Sequence, residues 1–149
     1  MTSIETFQPE HLHGFEPGRI EMNTVPLVGD MVSYGRHLAA QGPAWSVFDS
    51  DGKFLGAGGL GFYWHGVAEG WLILSRATDR FPVSLHKIVR TMIDRAFATH
   101  NLKRLQVSVP ISATRSVRWI ERLGFQREGE MRCYGPDGSD FRLYSIVRE

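Results

Sequence analysis

The stretch EGWLILSRATDRFPVSLHKIVRTMIDRAFATHNLKRLQVSVP, residues 69–110, decides the fold of this chain. It opens with the apolar run 71–74, which is typical of a strand buried on both faces. Past Pro82 or Ser84, where a helix can begin, apolar side chains recur at helical spacing. They are Leu85, Ile88, Val89, Met92, Ile93, Ala96 and Phe97. Residues 105–109 then alternate apolar with polar side chains and end before or at Pro110, which predicts a second strand.

A strand, a helix and a strand in this order predict two parallel strands joined by a right-handed crossover. In sheets of this kind a ligand binds at the carboxyl ends of the strands, where a helix N-terminus presents free N–H groups. We therefore expect the ligand site at Ser75 to Leu85.

Hairpins are predicted before this unit. Four apolar residues flank Asp51-Gly52, a pair that tolerates the positive φ of a two-residue turn. They are Trp45, Val47, Phe54 and Leu55. A second turn near His65-Gly66 then returns the chain into the buried strand.

A helix and a hairpin are predicted after the unit. A short helix from about Ala113 to Leu123 should end at Gly124, a natural residue for the left-handed position that closes a helix. Asp137-Gly138 then predicts a turn between the strands Met131 to Tyr134 and Arg142 to Val147.

An amphipathic helix is also predicted near the start of the chain, closed by Gly42-Pro43. Its apolar residues are Leu27, Met31, Tyr34 and Leu38. Together these elements predict one α/β (α+β) domain over residues 1–149, with a mixed, mostly antiparallel central sheet and helices on both faces.

The composition narrows the class of protein. The 149 residues are 42% hydrophobic and 22% charged, which excludes disorder for most of the chain. The single cysteine, Cys133, cannot form an intrachain disulfide, and no His/Cys cluster has zinc-ligand spacing. The uncharged stretch 55–68 is too short and too rich in glycine to span a membrane, and residues 1–5 lack the basic start of a signal peptide. We expect a cytoplasmic protein without a metal.

Charge is divided unevenly along the chain. Residues 1–75 carry 3 basic and 8 acidic side chains, a net charge of −5, whereas residues 76–149 carry 14 basic and 8 acidic, a net charge of +6. The basic half suggests a polyanionic ligand, although solvated helix faces account for it equally well. Arg115, Arg118 and Arg122 share one helix face, but charge alone is weak evidence and we do not expect nucleic-acid binding.

Several strings in the second half of the chain carry a family resemblance. They are Arg122-Leu123-Gly124-Phe125, Glu128-Gly129, Asp137-Gly138, Asp140 and Tyr144-Ser145, with Ser116 one turn into the preceding helix. With the order of elements from Ile4 to Glu149, they resemble the GNAT acyltransferase superfamily, and within it the ribosomal-protein and N-terminal acetyltransferase branch.

Other strings resemble GNAT-like proteins of tailed phages and prophages, some of which are virion components. They are Gly58-Gly59, Tyr63-Trp64, Glu69-Gly70-Trp71 and Tyr134-Gly135-Pro136-Asp137-Gly138. If the chain is phage-encoded, it would be virion-associated.

The resemblance implies acetyl-CoA as co-substrate and transfer of its acetyl group to an amine of a small molecule or a protein; it leaves a homodimer open. In the family's pyrophosphate loop, Arg80 matches the expected Arg, but Val83 and Leu85 stand where glycine and a small residue are expected. Backbone N–H groups can still hold phosphate, because they need no particular side chain. The candidate coenzyme-binding residues are Leu72, Ile73, Leu74, Arg80, Val83, Ser84, Leu85 and His86.

Glu69 is the candidate general base, since a carboxylate at the mouth of the buried strand would face the cleft; a surface ion pair is an equally good interpretation. His65 is the other candidate base, although a histidine in a turn is more often solvated. The resemblance places Ser116 near the thioester sulfur. The tyrosine that usually protonates the leaving group is replaced by Ile120, and the usual asparagine of the branch by Ala113.

Two functions therefore follow from the sequence. One is an acetyl-CoA-dependent N-acetyltransferase. The other is a catalytically inactive GNAT-like domain that acts as a binding or structural protein, because four positions depart from the family pattern: Val83, Leu85, Ala113 and Ile120.

Overall fold

The computed structural model describes residues 2–18 and 30–149, and these form a mixed sheet with α-helices on both faces. The strands are β1 (Ser3–Thr6), β2 (Ala44–Phe48), β3 (Phe54–Trp64), β4 (Val67–Leu74), β5 (Arg104–Pro110), β6 (Gln126–Met131) and β7 (Phe141–Val147). The α-helices are α1 (Met31–Ala39), α2 (Pro82–His100) and α3 (Thr114–Arg122), and short 3-10 helices lie at Pro9–Leu12 and Arg76–Arg80.

The strand order is β1-β2-β3-β4-β5-β7-β6, and β4 with β5 is its one parallel pair within the described residues. The strands that flank α2 are thus parallel, as the pattern of residues 69–110 predicts. The predicted fold class, a mostly antiparallel mixed sheet covered on both faces, is confirmed.

Two apolar clusters hold the helices against the sheet. On one face α1 and the Pro9–Leu12 turn pack on β4 through a cluster that includes Leu12, Leu38, Trp71 and Ile73. On the other face α2 and α3 pack on β4, β5 and β7; Val89, Ile93, Ile120, Leu105 and Tyr144 lie in this cluster. Successive strand residues point to opposite faces, so each position on β4 and β5 is assigned to one cluster or the other.

The predicted strand at Met131 to Tyr134 is wrong, because β6 lies earlier, at Gln126–Met131. Residues 132–140 instead form a long connection in which the Asp140 carboxylate accepts the Cys133 amide at 2.9 Å. Cys133 has a positive φ of 56°, which ends the extended backbone there. The connection is therefore longer than the turn that Asp137-Gly138 predicts.

The first hairpin also has a longer loop than its Asp-Gly pair predicts. Residues 49–53 connect β2 to β3, and the Asp49 carboxylate accepts the amides of Asp51 and Lys53, both at 2.9 Å. Gly52 does take the expected positive φ, 79°. A side-chain acceptor at the end of β2 therefore sets the loop length, which the Asp-Gly pair alone does not reveal.

The start of the chain differs most from the sequence prediction. Strand β1 is missed, since all four of its residues are exposed and show no apolar alternation. The first predicted helix is present as α1, but Leu27 lies outside the described residues. Gly42, which is expected to close this helix, lies three residues after its end. A Cβ atom at this position would collide with the Leu60 carbonyl oxygen.

Candidate active site

A gap opens in the sheet between β4 and β5. The two strands pair only through Val67 with Arg104, Ala68 with Leu105 and Glu69 with Gln106. Beyond that point β4 stays paired with β3 and β5 with β7 on their outer sides. At the far end of β4, residues 16–18 bond its inner side, because Gly18 donates its amide to the Leu74 carbonyl and Arg76 donates its amide to the Glu16 carbonyl, both at 2.9 Å. Five residues of β4 follow the last pair, and at about 3.3 Å per residue the gap is roughly 15 Å long.

Glu69 lies at the narrow end of this gap. Its Oε1 atom accepts a hydrogen bond from Gln106 Nε2 at 3.2 Å and a longer one from the Tyr63 hydroxyl at 3.4 Å. Tyr63 faces Glu69 from β3, at a register shift between Phe62 and Trp64. The described residues make no hydrogen bond to Oε2, so this oxygen can accept a proton from a ligand.

A chain of polar side chains across three strands orients Glu69. Arg104 donates from Nε to Gln106 Oε1 at 3.0 Å, and its two terminal nitrogens bind Glu128 at 2.8 and 2.6 Å. Ser145 donates to the same Glu128 carboxylate. Because arginine can only donate, the oxygen of Gln106 must face Arg104 and its amide nitrogen must face Glu69.

This network also shifts protonation equilibria. The hydrogen bonds from Arg104 and Ser145 lower the pKa of Glu128 to about 2. The hydrogen bond to Glu128 in turn raises the pKa of Arg104 above its usual value. Burial, and secondarily the charge of Glu69, raise the pKa of the Tyr63 phenol, which therefore remains a hydrogen-bond donor at neutral pH.

The Glu128 network makes stability depend on pH. Because the folded-state pKa lies below the usual 4.5, the carboxylate stabilises the fold above about pH 4.5, and the contribution is lost as the pH falls toward 2. Glu128 is 35% exposed, so we expect solvent screening to leave about 1 kcal/mol. Urea unfolding at about pH 6 and pH 3 should show the wild type losing that much more stability than Glu128→Gln. Equal losses in the two proteins would contradict the assignment.

The head of α2 carries two free backbone amides. Phe81 donates its amide to the Thr78 carbonyl, Pro82 has no N–H, and the Leu85 amide binds the Phe81 carbonyl. The amides of Val83 and Ser84 have no acceptor among the described residues, as expected for the first turn of a helix. This end of a 19-residue helix therefore presents positive partial charge to an anion.

The two bulky residues of the loop do not cover these amides. Val83 is 68% exposed and projects into solvent. Leu85 is half-buried and packs against the cluster under α2. Within the described part of the chain, the amides of Val83 and Ser84 therefore remain without a hydrogen-bond partner.

Three buried polar atoms near the gap lack a partner in the structure: Trp71 Nε1, Ser108 Oγ and Ser116 Oγ. Trp71 and Ser108 each lie two residues past the last β4–β5 pair, on the face of Glu69 and Gln106. Ser116 is 1% exposed and lies on α3 one turn before Ile120, which faces the other side of the sheet. Buried groups of this kind usually have a partner, which a ligand in the gap would provide.

The sequence-predicted residues are distributed around this gap. Glu69 lies on one face of the sheet, whereas Ser116 lies on the helix that packs against the other. Leu72 and Leu74 join the cluster under α2, while the Ile73 side chain packs toward α1. The Leu74 carbonyl accepts a hydrogen bond from the Gly18 amide at 2.9 Å.

The remaining predicted residues cluster at the head of α2. Arg80 is exposed there, in the turn before Pro82. His86 is held by Trp119, whose indole N–H donates to His86 Nδ1 at 3.1 Å. That nitrogen is therefore turned toward α3 rather than toward a ligand. His65, the other candidate base, is exposed in the β3–β4 turn.

Sequence reasoning missed three side chains of the site: Tyr63, Gln106 and Ser108. The last two could have been found, because the alternation of β5 puts them on the face opposite the apolar Leu105 and Val107. Tyr63 gave no such signal, since it reaches Glu69 only through the β3–β4 register. Tyr134 is 49% exposed and packs on Phe141.

The described residues hold no helix long and apolar enough to cross a membrane. They also hold no group of three or more His, Cys, Asp or Glu side chains that could bind a metal ion.

Comparison with known proteins identifies the architecture. No family model matches the chain, and no curated protein matches it significantly by sequence. Among solved structures, a variant of the spermidine N-acetyltransferase SpeG from Vibrio cholerae is 16% identical, with a TM-score of 0.74 over 98% of this chain and 93% of that one. A GNAT-family acetyltransferase from Bacillus anthracis is 14% identical, with a TM-score of 0.73 over 98% and 94%. The strand order, the gap between β4 and β5 and the similarity to these structures show that the chain has the fold of the GNAT acetyltransferases.

Proposed function

We propose that this protein is an N-acyltransferase that moves an acetyl group from acetyl-CoA to an amine of a small molecule or a protein. The observation that carries the proposal is the gap between β4 and β5, with Glu69 at its narrow end and the free amides of Val83 and Ser84 beyond its wide end. An extended thioester substrate with a diphosphate at one end fits this arrangement.

Coenzyme binding would use backbone groups more than side chains. The diphosphate would accept hydrogen bonds from the amides of Val83 and Ser84, in the positive field at the head of α2. Arg80, exposed beside them, can add a bidentate contact. The arm that carries the thioester would lie in the gap, where β4 and β5 no longer pair with each other. The loop departures at Val83 and Leu85 are compatible with this mode.

Transfer requires a base beside the attacking amine. The amine nitrogen would form a bond to the thioester carbonyl carbon, and Glu69 Oε2 would take the proton that nitrogen loses. As the tetrahedral intermediate collapses, the C–S bond breaks and its electron pair leaves on sulfur. Ser116 would donate a hydrogen bond to that sulfur. The thiolate then takes up a proton, so that one amine and one thioester give one amide and one thiol.

Calorimetric titration with CoA and acetyl-CoA tests the proposal. We expect both to bind at micromolar to submillimolar concentration and to raise the melting temperature of the protein. Absence of binding at millimolar ligand would overturn it. Since solved structures of this fold include spermidine N-acetyltransferases, polyamines are the first acceptors to assay, followed by peptide amines.

A catalytically silent binding or structural domain is the second candidate, and one observation favours it. Ile120, at the position of the family's acid tyrosine, is 1% exposed and apolar, so no phenol can protonate a thiolate from there. The double variant Val83→Gly with Leu85→Ala would distinguish the candidates. Coenzyme binding by this variant, but not by the wild type, would establish a degenerate loop. The likeness to the ribosomal-protein branch and to phage proteins rests on sequence strings alone.

A further inference from the structure

An apolar cavity lies behind the gap, between the sheet and the helices α2 and α3. Its volume is about 90 Å³. The sheet side is formed by residues 58–60 of β3, by Gly70 and Leu72 on β4 and by Leu105 and Val107 on β5. The far side is formed by apolar residues of α2 and α3: Val89, Met92, Ile93, Ala96 and Ile120. An apolar lining of this kind favours apolar ligands.

The sheet wall of the cavity is closely packed at two glycines. A Cβ atom at Gly70 would lie 3.3 Å from Leu105 Cδ1 and 3.5 Å from Val107 Cγ1, so a larger residue there would press on both side chains. The same holds for Gly58 on β3, since a Cβ there would lie 3.2 Å from Leu72 Cδ1. Gly70 lines the cavity and directly follows Glu69, so the wall of the cavity lies one residue from the proposed base.

We propose that the cavity receives the hydrocarbon tail of an acyl donor longer than acetyl. This inference rests on the proposed function, because it places the thioester carbonyl in the gap beside Glu69 and Gly70. An apolar cavity of about 150 Å³ binds a six-carbon ring, so by the same ratio this one holds roughly three or four carbons. The fit is therefore to butyryl or pentanoyl rather than acetyl donors. The bonds that form and break during transfer of the longer acyl group are the same as those described for the acetyl group.

The experiment tests the proposal with CoA thioesters whose acyl chains differ in length. Calorimetry would compare CoA with acetyl-, butyryl- and octanoyl-CoA on the wild-type protein. Burial of each methylene group is worth about fourfold in affinity, equivalent to about 0.8 kcal/mol, so butyryl-CoA should bind at least about tenfold more tightly than acetyl-CoA. Octanoyl-CoA should gain nothing further, because its chain exceeds the cavity.

A variant that fills the cavity tests whether the butyryl chain binds there. Ala96→Leu adds three carbons to the cavity wall and should reduce the butyryl advantage to about twofold or less, while CoA itself binds as to the wild type. Ala98→Leu is the matched control, since Ala98 lies on the same helix but is exposed. Circular dichroism and melting curves establish that both variants fold. The comparison of acyl chains on the wild-type protein does not depend on either variant.

The outcomes separate this inference from the proposed function. If CoA and acetyl-CoA bind but butyryl-CoA binds no more tightly, the acyl-chain assignment is overturned and acetyl transfer stands. If the butyryl advantage persists unchanged in Ala96→Leu, the chain does not enter this cavity and the assignment is also overturned. If no form of CoA binds, the proposed function fails and the inference fails with it.

Discussion

Replacing Glu69 with glutamine should lower kcat by about 100- to 1,000-fold, the range expected for loss of a positioned general base. Glutamine has the same shape and can still accept from Gln106 and Tyr63 at its amide oxygen. What it loses is the proton-accepting oxygen that faces the gap. Affinity for CoA should stay within about twofold, because the carboxylate lies at the opposite end of the gap from the α2 amides.

Initial rates of CoA release at saturating amine, with calorimetry for CoA binding, measure this effect. Glu130→Gln is the matched control, since Glu130 is an exposed carboxylate on β6 that pairs with Arg127. We expect the control to keep wild-type kcat. Full activity in Glu69→Gln would show that water or another group takes the proton, and would remove Glu69 from the mechanism.

Val83→Pro should weaken CoA binding by about 10- to 100-fold, the loss expected for one hydrogen bond to a charged group. Proline removes the N–H but is tolerated in the first turn of a helix, where the amide has no intrahelical partner. Calorimetry measures the affinity, and circular dichroism with a melting curve verifies that α2 still forms.

Val83→Ala is the matched control for the proline variant, because it removes the exposed side chain and retains the amide. We expect it to bind CoA as the wild type does, given that the Val83 side chain projects into solvent. If Val83→Pro and Val83→Ala bind CoA equally well, phosphate does not bind these amides and the proposed binding mode is wrong.

The central unit of the fold could be predicted from the sequence because its signals are local. Seven apolar residues at helical spacing define α2, and Pro82 begins it where the sequence predicts. Gly124 ends α3 with a φ of 101°, as a residue in the left-handed position should. These elements depend on periodicity and on single residues with special backbone freedom, both of which are visible in one dimension.

The elements that were misplaced depend on contacts that are distant in sequence or made by side chains with the backbone. Strand β1 is exposed and exists by pairing with β2 more than thirty residues away, so its own residues give no period-two pattern. The end of β6 is set by the bond from Cys133 to the Asp140 carboxylate, seven residues further on. Neither contact follows from local propensity.

The sequence by itself determined the parallel pair around α2, because strand, helix and turn signals are short-range. From the same signals it predicted the helix head as a ligand site and Glu69 as the candidate base. Only the tertiary structure decided that β4 and β5 separate after Glu69 and Gln106, since this depends on which outer partner each strand keeps. It also decided that Arg104, from β5, and Glu128, from β6, hold Gln106 in the orientation that presents a donor to Glu69. Hydrogen bonds between strands far apart in sequence create that arrangement, and no local pattern encodes it.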